Sequence, residues 1–276
     1  MSTLYLVATP IGNLEDISAR ALRTLKQVRC IAAEDTRQTR KLLTHFGIRA
    51  RVTSYHEHNK QVKLETLLAE LATGDIALVS EAGTPGLNDP GYELVRATIK
   101  AGHRVSPVPG ASAPIAALVA SGLPTDAFLY LGYLPRKSAE RRRLLEQIAG
   151  LPYTLIFLEA PHRLLASLAE LEKFLGARRI AVTRELTKLH EEIFYGAIPQ
   201  AREKYALQEP RGEFTLVIEG STKAARQTWS PERVQAALHE RLVRGDAPAR
   251  IAAEVAAQSG WPRREVYTMI TELETR

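Results

Sequence analysis

Two glycine-containing loops are the clearest positions at which this chain could bind a small molecule. Each follows a short apolar run typical of a strand, and they are Gly83 to Gly86 (GTPG) and Pro109 to Ser112 (PGAS). Glycine lets a backbone approach a ligand closely, while Ser112 suits either a helix cap or a ligand hydrogen bond. Either loop alone would be an ordinary strand-to-helix turn. Two such loops at one edge of a sheet favour a small-molecule cleft.

Two later polar segments carry groups suited to proton transfer or charge stabilisation. Leu158 to Arg163 (LEAPHR) brings a carboxylate, an imidazole and a guanidinium to the end of a predicted strand, and Arg184 to Lys188 (RELTK) follows another strand. The structural alternative for the first is that Glu159 ends a strand and Pro161 opens a helix. The second could equally be a surface turn. Composition does not decide between these interpretations.

Several familiar chemical signatures are absent from the sequence. It contains neither GxGxxG nor GxxxxGK[ST], which argues against a dinucleotide-binding first turn and a P-loop NTPase, and it contains no GxSxG nucleophile elbow. A single cysteine, Cys30, leaves no intramolecular disulfide and no cysteine-based zinc site. His56 to His58 (HEH) is more typical of a polar loop than of a metal site. We therefore predict no metal.

The positive charge is clustered. The net charge is +6, yet residues 20–51 hold nine basic and two acidic residues, and residues 136–143 hold five basic and one acidic residue. Clustered Lys and Arg are typical of phosphate binding, although a solvated helix face is the simpler alternative. Two separate clusters favour an anionic partner.

Length and composition fit a globular protein of two domains. The chain has 276 residues, of which 45% are hydrophobic and 25% charged, close to globular averages. No apolar run approaches the ~20 residues that a membrane span requires, and the first residues do not form a signal peptide. We expect a soluble cytoplasmic protein that does not bind membranes.

The first part of the chain alternates strands with helices, and each strand runs into a Gly, Pro or Ser loop. This pattern predicts an α/β domain with a largely parallel sheet, in which ligands bind at the carboxyl ends of the strands. We expect Asp89 and Pro90 to open one of the helices as cap and first residue. The predicted strands are Leu4 to Ala8, Cys30 to Ala33, Ile76 to Val79 and His103 to Val108.

Helices become fewer after about Gly122, which indicates a mixed α+β domain over residues 119–222 after a first domain over 1–118. A polar linker over 223–230 and a small helical extension complete the chain to residue 276. The predicted elements of these parts are the helices Ser138 to Ile148 and Pro161 to Leu175, the strands Thr154 to Glu159, Ile180 to Thr183, Glu191 to Gly196 and Glu213 to Glu219, and the terminal helices Pro231 to Val243, Pro248 to Gln258 and Pro262 to Glu272.

Six ordered motifs between about residues 4 and 220 resemble those of the bacterial 16S rRNA cytidine 2′-O-methyltransferases. These enzymes belong to the tetrapyrrole-methylase-like class of S-adenosylmethionine methyltransferases. The resemblance implies two α/β domains with the methyl donor in the cleft between them, usually in a homodimer. The motifs are Val7 to Asp16, Ala33 to Arg37 with Lys41 to Leu43, Ser80 to Gly91, Val108 to Ala113, Leu158 to Arg163 and Arg184 to Lys188.

The resemblance also implies which residues hold the methyl donor. In the tetrapyrrole enzymes an Asp commonly occupies the position of Thr84, so the contact here would use the backbone or the hydroxyl. The implied set is Gly83, Thr84, Leu87, Ser112, Leu158, Leu186 and Thr215.

The implied activity is methylation of the ribose 2′-hydroxyl of a cytidine in the decoding region of 16S rRNA, in the small ribosomal subunit. The hydroxyl proton must leave, so a general base is useful. A lysine could instead stabilise charge on the oxygen. The candidate catalytic residues, unranked, are Glu159, His162, Lys188 and Asp35, and the candidate RNA-binding residues are Arg37, Arg40, Lys41, Arg163, Arg184, Arg136 and Arg141.

Two alternatives stay open at this point. One is a methyltransferase of the same class that acts on a tetrapyrrole or another small molecule. The other is a ribosome-assembly factor that binds RNA without catalysis. The terminal extension resembles a helix-turn-helix, but its net charge from Lys223 onward is only +2, which gives weak support for RNA binding there.

Overall fold

The computed structural model describes residues 1–207, 209–222, 229–244 and 246–274. The chain divides into two compact units. The first comprises residues 1–141 and 154–219, and the second comprises residues 142–153 and 220–276. The domain limits expected at residues 118 and 222 stay a prediction.

The first sheet of the first unit has five parallel strands in the order β3-β2-β4-β1-β5. The predicted parallel α/β arrangement is confirmed, because each strand returns through a helix. The sequence did not indicate β3, which is only three residues long. The strands are β1 (Thr3–Val7), β2 (Cys30–Ala33), β3 (Val52–Ser54), β4 (Ile76–Val79) and β5 (Arg104–Val108).

Helices cover both faces of this sheet. Leu25 and Leu43 pack on one face with Ile31, while Leu71 and Leu94 pack on the other. Strands buried on both faces become continuously apolar, which is why β2 and β4 were recognisable. The helices are α1 (Ala19–Gln27), α2 (Thr36–His45), α3 (Lys60–Thr73), α4 (Tyr92–Lys100) and α5 (Ala113–Ala120).

The expectation that Asp89 and Pro90 open a helix is wrong. Helix α4 begins at Tyr92 with Gly91 as its cap residue. The preceding loop turns at Asn88, whose φ of 65° lies in the left-handed region. Asp89 therefore precedes the helix rather than capping it.

The second sheet of the first unit is mixed, as predicted. Its order is β6-β7-β10-β8-β9, with β6 and β7 parallel and the other neighbours antiparallel. The sequence did not indicate β6 or α8. The elements of this part of the chain are β6 (Phe128–Tyr133), α6 (Ser138–Ile148), β7 (Thr154–Glu159), α7 (Leu164–Leu175), β8 (Arg179–Arg184), β9 (Glu192–Ala197), α8 (Ile198–Ala206) and β10 (Phe214–Ile218).

Three helices of the second unit pack around their own apolar core, as predicted. They are α9 (Pro231–Val243), α10 (Pro248–Ser259) and α11 (Arg263–Glu274), and Leu238, Val255 and Ile270 are buried among them. Most of the linker predicted over 223–230 lies outside the described residues, at 223–228. None of the described helices is long and apolar enough to cross a membrane.

Candidate active-site cleft

A cavity of about 650 Å³ opens in the first unit at the loops that follow the strands of the first sheet. This volume is within the range of small-molecule sites. Side chains from β6, β7 and β10 of the second sheet complete its wall. The lining residues include Thr9 to Gly12, Lys41, Ser80 to Thr84, Leu87 to Asp89, Ser112 to Pro114, Tyr130, Tyr133, Leu158, Glu159, Lys188 and Glu213 to Thr215.

Hydrogen bonds join the three loops that follow β1, β4 and β5, and these loops form the floor of the cavity. The Thr9 N–H donates to the Gly83 carbonyl at 2.9 Å, and the Gly83 N–H donates back to the Thr9 carbonyl at 3.0 Å. The Thr84 hydroxyl donates to the Ala111 carbonyl at 3.1 Å. Gly83 has φ of 79°, a conformation that favours glycine. The two glycine loops expected at one sheet edge thus meet at this cavity.

Three buried hydroxyls around the cavity lack a hydrogen-bond partner among the described residues. They belong to Thr9, Ser112 and Tyr130. Ser112 stands at the cap position of α5 but makes no side-chain capping bond. Because a buried hydroxyl without a partner is costly, these groups suit a polar ligand.

Six of the seven residues expected to hold the donor line this cavity. They are Gly83, Thr84, Leu87, Ser112, Leu158 and Thr215. The seventh, Leu186, packs instead against the buried cluster that contains Leu118 and Ile156. The Thr84 hydroxyl already donates to a loop carbonyl, which leaves its oxygen as an acceptor.

Glu159 lines the cavity, but its carboxylate is fully engaged. The residue is 2% exposed. Its Oε1 accepts the Ala160 N–H at 2.9 Å and lies 3.5 Å from Nε of Arg163, while Oε2 accepts the Ser167 hydroxyl. This carboxylate holds the turn after β7 in place.

Lys188 also lines the cavity and is held as a cation. Its Nζ lies 2.9 Å from Oε1 of Glu185 and 3.2 Å from Oε2 of Glu213. Burial disfavours the charge, but the bonds to these two carboxylates outweigh it and raise the pKa of the ammonium. Lys188 is therefore suited to stabilise negative charge rather than to accept a proton.

Asp35 and His162 are not among the residues that line the cavity. Asp35 caps α2, and its Oδ1 accepts the N–H groups of Arg37 at 2.7 Å and Gln38 at 3.2 Å. These backbone hydrogen bonds lower the pKa of the Asp35 carboxyl. His162 is exposed in a short 3₁₀ turn after β7.

Three of the expected RNA-binding residues share one face of α2. Arg37, Arg40 and Lys41 line an open depression of about 510 Å³ together with Thr44 and His45. Lys41 and His45 also line the cavity, so this basic face is continuous with it.

The other four expected arginines lie elsewhere in the first unit. Arg184 ends β8, Arg163 ends the 3₁₀ turn before α7, Arg136 precedes α6 and Arg141 lies within it. Arg163 donates to the Leu134 carbonyl at 2.6 Å. Nε of Arg184 lies 3.5 Å from Oε2 of Glu192. Arg141 donates to the Pro135 and Arg136 carbonyls, whereas Arg136 itself is exposed. None of these four lines the depression on α2.

Sequence reasoning missed Asp89 as a site residue. Asp89 lines the cavity beside Asn88. Burial and the charge of Glu34, opposed by hydrogen bonding from Ser80, raise the pKa of Asp89 to about 7. The available signal in the sequence was the place of Asp89 in the motif Ser80 to Gly91, but Asp89 was interpreted as a helix cap.

The HEH segment stays outside this site. The rings of His56 and His58 are 6.0 Å apart in an edge-on arrangement. Within the described ranges, no group of three His, Cys, Asp or Glu side chains could hold a metal ion.

Comparisons with known proteins agree with this architecture. The family model of tetrapyrrole (corrin/porphyrin) methylases matches residues 3–202. A protein of Synechocystis sp. called ribosomal RNA small subunit methyltransferase I is 48% identical over 276 residues, with 99% of each chain covered. A protein of the same name from Escherichia coli O157:H7 is 48% identical over 92% of this chain and 89% of its own length.

A solved structure shows the same fold at low sequence identity. Uroporphyrin-III C-methyl transferase from Thermus thermophilus, complexed with S-adenosyl homocysteine, superposes with a TM-score of 0.55 at 20% identity and covers 78% of this chain and 97% of its own. The arrangement of the two sheets, the superposition and the match to the family model agree with one another. The chain therefore belongs to the tetrapyrrole methylase family, and its full-length relatives within that family are called ribosomal RNA small subunit methyltransferase I.

Proposed function

We propose that this protein is an S-adenosylmethionine-dependent methyltransferase that methylates the ribose 2′-hydroxyl of a cytidine in the decoding region of 16S rRNA. The observation that carries the proposal is that the cavity is continuous with the basic face of α2. The cavity contains six residues expected to hold the donor, and it shares Lys41 and His45 with the basic face of α2. The names of the full-length relatives support an rRNA substrate.

The residues present suit the methyl donor. Leu87 and Leu158 offer apolar contacts, and the backbone at Gly83 and Thr84 is open to close approach. The partnerless hydroxyl of Ser112 would bond a polar group of the donor. When bound, S-adenosylmethionine supplies a methyl group that its sulfonium makes electrophilic, so the proposal includes no metal.

The protein's main task is then alignment. Orienting the ribose hydroxyl toward the methyl carbon contributes through proximity. Lys188, kept positive by Glu185 and Glu213, would stabilise the negative charge that develops on the hydroxyl oxygen.

Arg37, Arg40 and Lys41 would bind phosphates that flank the target nucleotide. A single-stranded or splayed nucleotide gives access to its 2′-hydroxyl, so we expect the target to lie outside a continuous helix. The full proposal places the protein in the cytoplasm, as a homodimer acting on 16S rRNA of the small subunit.

Methylation mapping tests the proposal most directly. 16S rRNA from cells without this gene should lack one 2′-O-methylcytidine, and expression of the wild-type chain should restore it. Lys188→Met should restore it poorly, whereas the exposed-site control Lys100→Ala should restore it fully. If no 2′-O-methyl mark disappears, the assignment is wrong.

A second measurement separates the alternatives. Calorimetry with S-adenosylmethionine should show binding, which a purely RNA-binding assembly factor would not give. Methyl transfer to a tetrapyrrole, with none to small subunits, would identify the small-molecule alternative instead.

A further inference from the structure

We propose that the turn between β6 and α6 is a second phosphate-binding site for the RNA substrate, in which Arg136 and Lys137 contact the RNA backbone. This turn, residues 134–137, has the sequence LPRK and is called the β6–α6 turn below. The proposal rests on the proposed function, because it adds contacts to that same substrate. It also assigns Arg141 and Arg163, which were expected to bind RNA, to holding this turn in place.

The β6–α6 turn leaves directly from the cavity wall. Tyr133, the last residue of β6, lines the cavity and is 50% exposed. Strand β6 runs parallel to β7, whose last residues Leu158 and Glu159 also line the cavity. Arg136 follows Tyr133 by three residues, a span of at most about 11 Å between their Cα atoms. The turn is therefore near enough to contact RNA that flanks a nucleotide held in the cavity.

Two arginines hold the backbone of the β6–α6 turn. Arg163 donates to the Leu134 carbonyl at 2.6 Å. Arg141 donates to the carbonyls of Pro135 and Arg136, each at 3.1 Å. The side chains of Arg141 and Arg163 are each only 20% exposed. Because the donors of a guanidinium have a fixed planar arrangement, these hydrogen bonds set the path of the turn.

Both of these arginines are themselves anchored by carboxylates. Nε of Arg163 lies 3.5 Å from Oε1 of Glu159, a buried carboxylate that also accepts the Ser167 hydroxyl. Nε of Arg141 lies 3.7 Å from Oε2 of Glu170 on α7. The turn is thus tied to β7 and α7 before any ligand binds. A preformed turn lowers the entropy cost of ordering a binding site.

The side chains of Arg136 and Lys137 point in the opposite sense, toward solvent. Arg136 is exposed, and its guanidinium has no hydrogen-bond or ion-pair partner within the described ranges. Lys137 is 80% exposed and lies 3.1 Å from Glu140, which is itself 59% exposed. Such an exposed ion pair is weak, so a phosphate can replace the carboxylate. The turn therefore offers two adjacent cations to an anionic backbone.

Basic sites then border the cavity from two different elements. Helix α2 contributes Lys41 and His45 to the cavity lining, and β6 contributes Tyr130 and Tyr133. A single strand bound by its phosphates at both the basic face of α2 and the β6–α6 turn would have an intervening nucleotide at the cavity. Exposed aromatic rings such as that of Tyr133 are typical of single-strand binding, because bases stack on them.

The first test measures RNA binding without catalysis. Filter binding to small subunits over a salt series should show weaker binding by Arg136→Ala/Lys137→Ala, with the slope of log affinity against log salt lower by about 2, or about 1 for each lost phosphate contact. Lys100→Ala on α4 is the control and should keep the wild-type slope. A wild-type affinity and slope in the double variant would overturn the proposal.

The second test asks whether Arg141 acts through the turn. Arg141→Met should weaken binding in the wild-type chain but should have little further effect in the Arg136→Ala/Lys137→Ala background, because residues that act together are not additive. An equal loss in both backgrounds would mean that Arg141 contacts RNA independently, which overturns its positioning role. Arg163 is less suitable for this test, because its removal leaves the buried Glu159 carboxylate unpaired. Urea denaturation checks folding, and the double variant, which changes only exposed side chains, tests the site even where Arg141→Met is unstable.

This proposal and the proposed function fail in different ways. If the wild-type chain does not methylate small subunits, the proposed function is wrong, whatever the salt slopes show. If it does methylate them, Arg136→Ala/Lys137→Ala should raise the half-saturating subunit concentration in single-turnover methylation and keep the saturating rate within about threefold, as expected for lost substrate binding. An unchanged half-saturating concentration would exclude the β6–α6 turn as an RNA site.

Discussion

Gly12 lies directly against the side chain of Lys188. A Cβ at Gly12 would overlap Cγ of Lys188 and come 2.7 Å from Oγ1 of Thr187 and 2.8 Å from the Leu186 carbonyl oxygen. The Asn13 N–H also donates to Oγ1 of Thr187 at 3.1 Å. The loop after β1 therefore packs against the loop after β8, and this packing fixes the position of Lys188 at the cavity.

Gly12→Ala should disturb the packing between these two loops. The added methyl must displace backbone as well as side-chain atoms, and such overpacking costs about 1–3 kcal/mol. We expect a lower free energy of unfolding in urea and weaker donor binding by calorimetry. Gly150→Ala is the matched control, because a Cβ there meets no atom within 4 Å. Equal behaviour of the two variants would contradict this account of Gly12.

Glu159→Gln should mainly reduce stability. Its buried carboxylate accepts the Ala160 N–H and the Ser167 hydroxyl and pairs with Arg163. An amide cannot accept from all of these groups, so we expect a loss of about 1–3 kcal/mol in the free energy of unfolding. The pH profile of methylation should keep its shape.

The exposed control for Glu159 is Glu203→Gln on α8. A Glu159→Gln protein as stable as this control, with a displaced pH profile, would restore Glu159 as a candidate base.

Substitution of Asp35 should distinguish a helix cap from a base. Asn retains a capping oxygen and Ala does not, so Asp35→Asn should keep most of the stability and activity while Asp35→Ala loses stability. Urea denaturation and single-turnover methylation check this order. Loss of activity in Asp35→Asn with stability retained would favour a role as base.

The contribution of Asp35 to stability should depend on pH. The N–H groups of Gln38 and Arg37 lower the pKa of its carboxyl in the folded state, so the folded protein binds the Asp35 proton less readily than the unfolded chain. The stabilisation is present above the unfolded pKa and is lost as the pH falls through the folded pKa. The stability difference between wild type and Asp35→Ala should therefore shrink in acid, and a difference that grows in acid would contradict the cap.

The basic face of α2 should make RNA binding depend on salt. Removing Arg40 or Lys41 should weaken binding and lower the slope of log affinity against log salt by about 1 for each phosphate that the variant no longer neutralises. Lys100→Ala on α4 removes the same charge away from this depression and should leave the slope unchanged. Filter binding to small subunits over a salt series measures this, and equal slopes for all variants would rule out phosphate binding at α2.

The sequence by itself determined those parts of the fold that depend on neighbouring residues. The apolar runs of β2, β4 and β7 gave their bounds to the residue, because strands buried on both faces are continuously apolar. The predicted start of α9 at Pro231 is also confirmed, because proline suits the first position of a helix. The glycine loops at Gly83 and Gly110 could be assigned to one sheet edge because parallel strands end on the same side.

Only the tertiary structure decided the chemistry of individual side chains. By its residue type Glu159 could act as a base, yet its carboxylate accepts the Ser167 hydroxyl and pairs with Arg163. Asp89 was interpreted as a helix cap, yet burial in the fold and the charge of Glu34 raise the pKa of its carboxyl. Both outcomes depend on burial and on charges distant in sequence, and desolvation and Coulomb interactions act through space rather than along the chain.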